Sequence, residues 1–384
     1  MLTGIFSICL SACGGSSSRE KSDVEMVRFE QVLMQSSPGS LQSDIASFAA
    51  QYQGHLLNVF PNNPEYMQMV AGFVADTTIR YIYDCVNEQY ADLGWLEKDL
   101  RKALAKAHDL DEKADVKTIS TLISAQFDYT NRTYCEGEEL LIAIDQYVLP
   151  KMERYMYFGN PMYIVNLCRQ EYILPDCIGA VARSLVRMPE SDELSLLDIM
   201  IMEGKALYMV DQVLPDVADT LKLRYTADQL HWMQDRESDV WAYLLQQHLL
   251  YETDHTKYHN LIDEAPKTNA FRDSAPRVAA YIGWRIVDAY MNKNKCTLDN
   301  LMESTDSFAG TAEGMADITF YLYTLNSGVS VLHNLFCAYY TREMPDMLGM
   351  FDCINNTLDA VPAFREEFLA QNLYELVGVP TTQT

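Results

Sequence analysis

The chain has 384 residues, of which 48% are hydrophobic, and its formal net charge at pH 7 is −25. This length and composition allow one large domain or two smaller ones with a sizeable hydrophobic core. The 54 acidic side chains outnumber the 29 basic ones, so the surface repels phosphate backbones and anionic lipid surfaces. Composition therefore argues against nucleic-acid binding, and no nucleic-acid partner is predicted.

The first residues contain an apolar run, Ile5 to Leu10, that is far shorter than the roughly 20 residues needed to cross a bilayer. The sequence Leu10-Ser11-Ala12 before Cys13 resembles a bacterial lipobox, in which the cysteine thiol is acylated and the peptide before it is removed. We therefore predict a lipoprotein signal peptide over residues 1–12, lipid attachment at Cys13 with acyl chains such as palmitate, and a flexible tether over residues 13–22.

That segment departs from a typical signal peptide in one way, because Met1-Leu2-Thr3 carries no Lys or Arg. A start upstream of Met1, or a disordered N-terminus with a chance cysteine, are the alternatives. If Cys13 is acylated, membrane contact is through this anchor, since each buried methylene contributes about 0.8 kcal/mol.

Seven cysteines remain once Cys9 leaves with the signal peptide and Cys13 carries lipid. An odd number cannot all pair, and no CxxC motif or zinc-spaced Cys/His ladder occurs. We predict mostly buried free thiols and leave one disulfide open. The seven are Cys85, Cys135, Cys168, Cys177, Cys296, Cys337 and Cys353.

The apolar spacing along the chain predicts mostly helices with one interruption. Spacing of three and four residues predicts early helices over Asp23 to Gln35, Glu65 to Gln89 and Leu96 to His108. Between Val116 and Leu149 the period changes, which predicts strands at Thr118 to Ser124, Arg132 to Cys135 and Glu139 to Asp145. Helices are predicted again over Ile178 to Arg187, Glu193 to Leu214, Ala227 to Tyr251 and Pro276 to Asn292. The predicted class is α+β and mostly helical, with a helical body around a small β-sheet.

One of these helices carries a carboxylate in the middle of its apolar stripe. Every third or fourth residue reads Leu196, Met200, Glu203, Leu207, Val210 and Leu214. Burying a carboxylate without a partner costs roughly several kcal/mol of folding free energy. Glu203 therefore needs a cation, a metal ion or a proton. Lys205 lies two positions along and faces elsewhere.

Gluzincin metallopeptidases offer one explanation, since they combine an HExxH helix with a zinc-binding Glu on a later helix. If residues 179–187 correspond to the HExxH helix, Ala182 and Val186 occupy the positions of the two histidines. Arg183 then occupies the position of the general-base glutamate. No HExxH occurs in the chain. A degenerate zincin-like arrangement is then possible, in which Arg183 and Glu203 form a buried ion pair or vestigial site. The alternative is that Glu203 meets another donor or water.

The remaining motifs give little indication of catalysis. His255 and His259 have helical spacing, which allows a metal site, although a solvated connector is favoured. No GxSxG, P-loop or GxGxxG motif occurs. We therefore predict no catalytic residue, no metal and no cofactor. An envelope hydrolase or metallopeptidase-like enzyme using Glu203 is kept as the alternative.

Several stretches together resemble the gliding-motility lipoprotein GldB family of Bacteroidetes. They are Phe127-Asp128-Tyr129, Leu140 to Asp145, Glu203 to Tyr208, Leu214-Pro215-Asp216, Tyr225 to Leu230 with Trp232 and Trp241, and Tyr281 to Val287 with Tyr290-Met291. The resemblance covers about residues 20 to 304. It defines a GldB-like globular domain over residues 23–304, followed by a helical C-terminal extension of unknown origin over residues 305–384.

The resemblance implies a non-enzymatic envelope lipoprotein that supports gliding motility, the protein-secretion machinery linked to it, or both. It further implies envelope protein partners from those assemblies and an outer-membrane location. A general envelope role in bacteria that do not glide stays open.

Overall fold

The computed structural model describes residues 24–52, 54, 56–125, 132–148, 161–189 and 193–305. The predicted signal peptide, the lipid site at Cys13, the tether and nearly all of the C-terminal extension lie outside these residues, as do Cys337 and Cys353.

A four-stranded mixed sheet lies among the helices. Its strands are β1 (Glu25–Arg28), β2 (Thr118–Leu122), β3 (Thr133–Glu136) and β4 (Glu139–Ala143), in the order β1-β2-β4-β3. The β1–β2 and β2–β4 pairs are parallel, and β3–β4 is an antiparallel hairpin. Gly137 closes that hairpin with a φ of 57°, a conformation that glycine adopts without strain. The mostly helical α+β class and the three predicted strands are confirmed.

The prediction of one helix over Asp23 to Gln35 is wrong in its first half. The chain forms β1 and only then α1 (Phe29–Gln35). Strand β1 aligns Glu25 with Thr118 and Arg28 with Thr121 in β2. That pairing joins distant parts of the chain, so tertiary contacts override the local helical period.

Between α1 and β2, the described residues form four further helices, namely α2 (Leu41–Tyr52), α3 (Pro64–Ala75), α4 (Thr77–Gln89) and α5 (Gly94–Leu110). The single helix predicted over Glu65 to Gln89 is therefore two helices. Asp76 separates them because its backbone is extended (φ −65°, ψ 131°) and its carboxylate accepts from the N–H groups of Thr78 and Ile79. The side chain thus supplies an N-cap for α4.

The second half of the described chain is helical. It contains α6 (Met162–Leu167), α7 (Ile173–Leu185), α8 (Leu196–Val213), α9 (Asp219–Leu223), α10 (Ala227–Gln246), α11 (His255–Ile262), α12 (Val278–Lys293) and α13 (Leu298–Glu303). The four helices predicted here correspond to α7, α8, α10 and α12. Helix α10 begins with a reciprocal capping box between Thr226 and Gln229, and it ends at Gln246, short of the predicted Tyr251.

Helices α8 and α12 pack with their backbones in contact. A Cβ atom added at Gly204 would lie 2.3 Å from the carbonyl oxygen of Gly283. One added at Gly283 would lie 1.9 Å from the carbonyl oxygen of Met200. Only glycine allows this approach. The crossing fixes Glu203, next to Gly204, close to the N-terminus of α12.

The sheet and the helices share one hydrophobic core, in which Trp241 is the largest fully buried side chain among the described residues. The five cysteines among the described residues are free thiols, and Cys135, Cys168 and Cys177 are buried. Within the described part of the chain, no helix is long and apolar enough to cross a membrane.

Candidate functional site

A cavity of about 820 Å³ opens between β3, α7 and α8. The segments that follow α9 and α11 and the segment that precedes α12 complete its walls. Its walls carry an unusual density of charge for a region next to the core. The charged side chains that line it are Arg132, Arg183, Glu203, Arg224, Asp263, Glu264 and Arg277.

Two arginines hold Glu203 of α8 from either side. Arg183 of α7 donates from Nε to Oε1 at 3.0 Å and from Nη2 to Oε2 at 3.1 Å. Arg277 donates from Nη2 to Oε2 at 3.3 Å. The Glu203 side chain is 21% exposed and that of Arg183 is 42% exposed. The pair is therefore half-buried rather than fully buried, and its geometry is the two-bonded fork typical of strong arginine–carboxylate contacts.

These contacts set the protonation state of Glu203. Burial alone would raise the pKa of this carboxyl, but the guanidinium of Arg183, followed by that of Arg277, lowers it to about 2. Glu203 is thus ionised at neutral pH and both of its oxygens accept hydrogen bonds. A carboxylate held in this way is a weak base.

A second charged network lies deeper, around Asp176 of α7, whose side chain is 3% exposed. Arg132 donates from Nε to Oδ2 at 3.1 Å, and the Tyr147 hydroxyl donates to the same oxygen at 2.7 Å. Arg224 donates from Nη2 to Oδ1 at 2.7 Å and also pairs with Glu264. Although burial opposes ionisation, Arg224 and Arg132 lower the pKa of Asp176. The network ties the start of β3 and the end of α9 to α7.

Two of the four arginines have left-handed backbone conformations. Arg224 follows α9 with a φ of 60°, and Arg277 precedes α12 with a φ of 50°. Such angles are uncommon for residues other than glycine, and they persist where surrounding contacts fix them. Here the side-chain bonds to Asp176 and Glu203 provide those contacts.

The structure brings the two predicted residues Arg183 and Glu203 together, which was one of two alternatives left open by the sequence. Ala182 is fully buried and Val186 is 8% exposed, so neither lies in the charged cavity as a ligand would. Lys205 is buried on another side of α8, where it donates to Ser304. The zincin-like relationship itself stays a prediction.

The sequence analysis did not single out six further charged residues of the site. For Asp176 a signal existed, since it lies among Ile173, Cys177 and Ala180 on the apolar stripe of α7, just as Glu203 does on α8. The others lie outside regular apolar patterns. The six residues are Arg132, Asp176, Arg224, Asp263, Glu264 and Arg277.

The histidine pair lies elsewhere on the surface. His255 and His259 are exposed on α11, with ring centroids 5.9 Å apart. Among the described residues, no group of three or more His, Cys, Asp or Glu side chains is placed to hold a metal ion.

The Cys135 thiol belongs to a residue in the wall of the charged cavity, and the Ser184 hydroxyl donates to its sulfur at 3.6 Å. Burial raises the pKa of the Cys135 thiol, and the Ser184 bond offsets only part of that effect. The thiol is therefore protonated at neutral pH and is a poor nucleophile.

The site as a whole is rich in charge-assisted hydrogen-bond donors, which suits binding of an anionic group.

Comparison with known proteins identifies the family. Neither the curated proteins nor the solved structures contain a match to this chain. A family model described as gliding motility protein GldB matches residues 16–309. That range includes every charged residue of the cavity and agrees with the extent of the resemblance noted in the sequence. Because the match spans well over half of the chain, the protein belongs to the GldB family of gliding motility proteins.

Proposed function

We propose that this protein is a lipid-anchored component of the cell envelope that supports gliding motility, the secretion machinery linked to it, or both, and that it acts by binding other components rather than by catalysis. The family match supports the link to motility. The observation that supports a non-catalytic role is that both carboxylate oxygens of Glu203 accept hydrogen bonds from Arg183 and Arg277.

The anchor in this proposal is Cys13, which follows the lipobox-like Leu10-Ser11-Ala12. Acyl chains on this residue would hold the folded domain at the outer membrane through the tether at residues 13–22. The net charge of −25 over the 384 residues disfavours direct contact of the protein body with anionic lipid surfaces.

The rival function is a hydrolase in which Glu203 binds a metal ion or acts as a general base. A general base works best with a pKa near the operating pH, whereas the pKa of Glu203 is about 2. A divalent cation at Glu203 would also lie beside two guanidinium groups, which repel it. The arginine pairing therefore favours binding over catalysis.

Elemental analysis of the purified full-length protein separates the two functions. We expect sub-stoichiometric zinc in the wild type and the same content in Glu203→Ala and in the exposed control Glu65→Ala. One zinc per chain that Glu203→Ala removes and Glu65→Ala retains would establish the rival.

Cross-linking in the native host tests the binding role. We expect the acylated protein to be cross-linked to components of the motility or secretion apparatus, and Cys13→Ser, expressed to the same level, to lose these products. Cross-linking that captures no envelope protein would contradict the proposal.

A further inference from the structure

We propose that the cavity binds the C-terminal carboxylate of a partner peptide, between Arg183 and Arg277. This assignment rests on the proposed binding role and names the chemistry of the partner. Carboxylates are well matched to guanidinium groups, which present parallel N–H donors in one plane.

The first support is the supply of donors around Glu203. A guanidinium group has five N–H bonds. Arg183 uses Nε and Nη2 on Glu203, and Arg277 uses only Nη2. Both side chains line the cavity, and Arg183 is 42% exposed. N–H groups of both arginines therefore remain for an incoming anion.

The second support is the charge of the cluster. Arg132, Arg183, Arg224 and Arg277 face the ionised Asp176, Glu203 and Glu264, which leaves one net positive charge. Asp263 also lines the cavity and is exposed, and its charge brings the formal sum of these groups to zero, so the positive charge is local to the paired arginines.

The pKa of Arg277 is lowered, chiefly by burial; Glu203 and Glu264 oppose this effect, and Arg224 and Arg183 add to it. A monoanion compensates the one net positive charge of the paired cluster. A phosphate monoester group carries about −1.5 to −2 and would in addition meet the carboxylates of Glu203 and Glu264. The charge balance thus favours a carboxylate.

The third support is a pair of buried polar atoms on two residues that line the cavity, Arg132 and Glu264. Arg132 Nη2 and Glu264 Oε2 have no hydrogen-bond partner within the described part of the chain, and both atoms are closed to solvent. Arg132 Nη2 lies 3.8 Å from Glu264 Oε1, so a donor that lacks an acceptor lies near the carboxylate whose other oxygen lacks a donor. A peptide C-terminus offers both an acceptor and a donor within one residue, since its carboxylate accepts and its own N–H donates. Contact with these two atoms would require the two side chains to move.

The size and lining of the cavity fit a chain end better than a small ion. A volume of about 820 Å³ lies within the range of pockets that hold organic ligands. Beside the arginines the walls contain Ala180 and Ile262, and Tyr134 is 56% exposed. These groups suit the apolar side chain of a terminal residue.

Isothermal titration calorimetry of the full-length protein in detergent tests the assignment. The probes are acetyl-Ala-Phe with a free carboxylate, the same peptide as its C-terminal amide, and inorganic phosphate. We expect saturable binding of the free acid at least tenfold tighter than that of the amide or of phosphate. Equal binding of acid and amide would overturn the role of the carboxylate, tighter phosphate binding would overturn the peptide, and no binding would overturn both.

Variants locate the binding. We expect Arg277→Gln to weaken binding of the free acid at least tenfold, with Arg277→Lys, which keeps the charge, between it and the wild type. Glu203→Gln removes the competing carboxylate and is expected to tighten binding. Arg236→Gln, which breaks an exposed pair with Asp239, serves as the control and leaves binding unchanged. Thermal melting of each variant shows that it is folded.

Failure of this titration is distinguishable from failure of the proposed function. If no variant changes the affinity, the carboxylate site is wrong. The cross-linking of the acylated protein to the motility or secretion apparatus does not depend on these probes and would stand.

Discussion

At the scale of single residues, the main feature is a pair of carboxylates, Glu203 and Asp176, each placed on the apolar stripe of a helix and each held by two arginines. The sequence predicted that Glu203 needs a partner, because a carboxylate in an apolar stripe is costly without one. It allowed Arg183 as that partner without deciding it. The second guanidinium, from Arg277, could not be predicted, since it depends on a left-handed turn before α12.

Replacement of Glu203 by Gln is expected to lower the free energy of unfolding at pH 7 by about 1.5–3 kcal/mol, because charged hydrogen bonds to both arginines are lost. The difference from the wild type should shrink with acid. The pKa of Glu203 is lowered from 4.5 to about 2 in the folded chain, so its contribution is complete above about pH 4.5 and is lost as the pH falls towards 2. Urea unfolding of both proteins between pH 7 and pH 3 measures this. If the difference in unfolding free energy between the two proteins stays constant from pH 7 to pH 3, the result would contradict the ion pair.

Replacement of Asp176 by Asn is expected to destabilise the protein by about 3–5 kcal/mol, because Arg132 and Arg224 keep their buried charges without the carboxylate between them. Asp239→Asn is the control. Asp239 pairs with Arg236 on the surface, and its loss should change stability by about 0–1 kcal/mol. Chemical denaturation at pH 7 measures the free energy of unfolding of both variants. Equal losses of stability in the two variants would argue against a buried network.

At the scale of elements, periodicity predicted α7, α8, α10, α12 and three of the four strands, because each buries one face against the core. It missed β1, whose identity depends on parallel pairing with β2. It also merged α3 and α4, although Asp76 followed by Thr77-Thr78 is a helix-start signal that could have been read. Local sequence patterns predict an element correctly where the element's own residues determine its conformation. They fail for β1, because its conformation depends on pairing with a strand far away in the sequence.

The crossing of α8 and α12 gives a prediction at this scale. Gly204→Ala places a methyl group 2.3 Å from the Gly283 carbonyl oxygen, so the helices must separate and the protein should lose at least about 1–3 kcal/mol.

Gly72→Ala in α3 is the matched control, because nothing beyond its chain neighbours and the nearby backbone of its own helix lies within 4 Å of the added Cβ. There alanine should stabilise the helix by about 0.5–1 kcal/mol. Thermal melting of the two variants should therefore shift in opposite directions, and a shift of Gly204→Ala to higher temperature would contradict the backbone contact.

At the scale of the whole molecule, the candidate site collects residues from β3, α7, α8 and three connecting segments. No single stretch of sequence contains it, so the sequence offered one ion pair as an alternative and did not indicate the cavity. The family extent, by contrast, followed from short motifs along the chain and agrees with the matched range of residues 16–309.

The proposed anchor gives a prediction of its own. Mass spectrometry of protein isolated from native cells is expected to find a chain that begins at Cys13 and carries acyl chains on that residue. Cys13→Ser should leave the membrane fraction. Protein with residues 1–12 still attached and a free thiol at Cys13 would contradict the anchor.

The central claim is that this family member supports gliding motility, the linked secretion machinery, or both, from a lipid-anchored position. The most direct test is a deletion strain of a surface-motile native host, assayed for colony spreading and for yield of secreted protein. We predict that deletion abolishes spreading, lowers the secreted yield, or does both, and that the wild-type gene restores what is lost whereas the Cys13→Ser gene does not. A deletion strain that spreads and secretes like its parent would contradict the account.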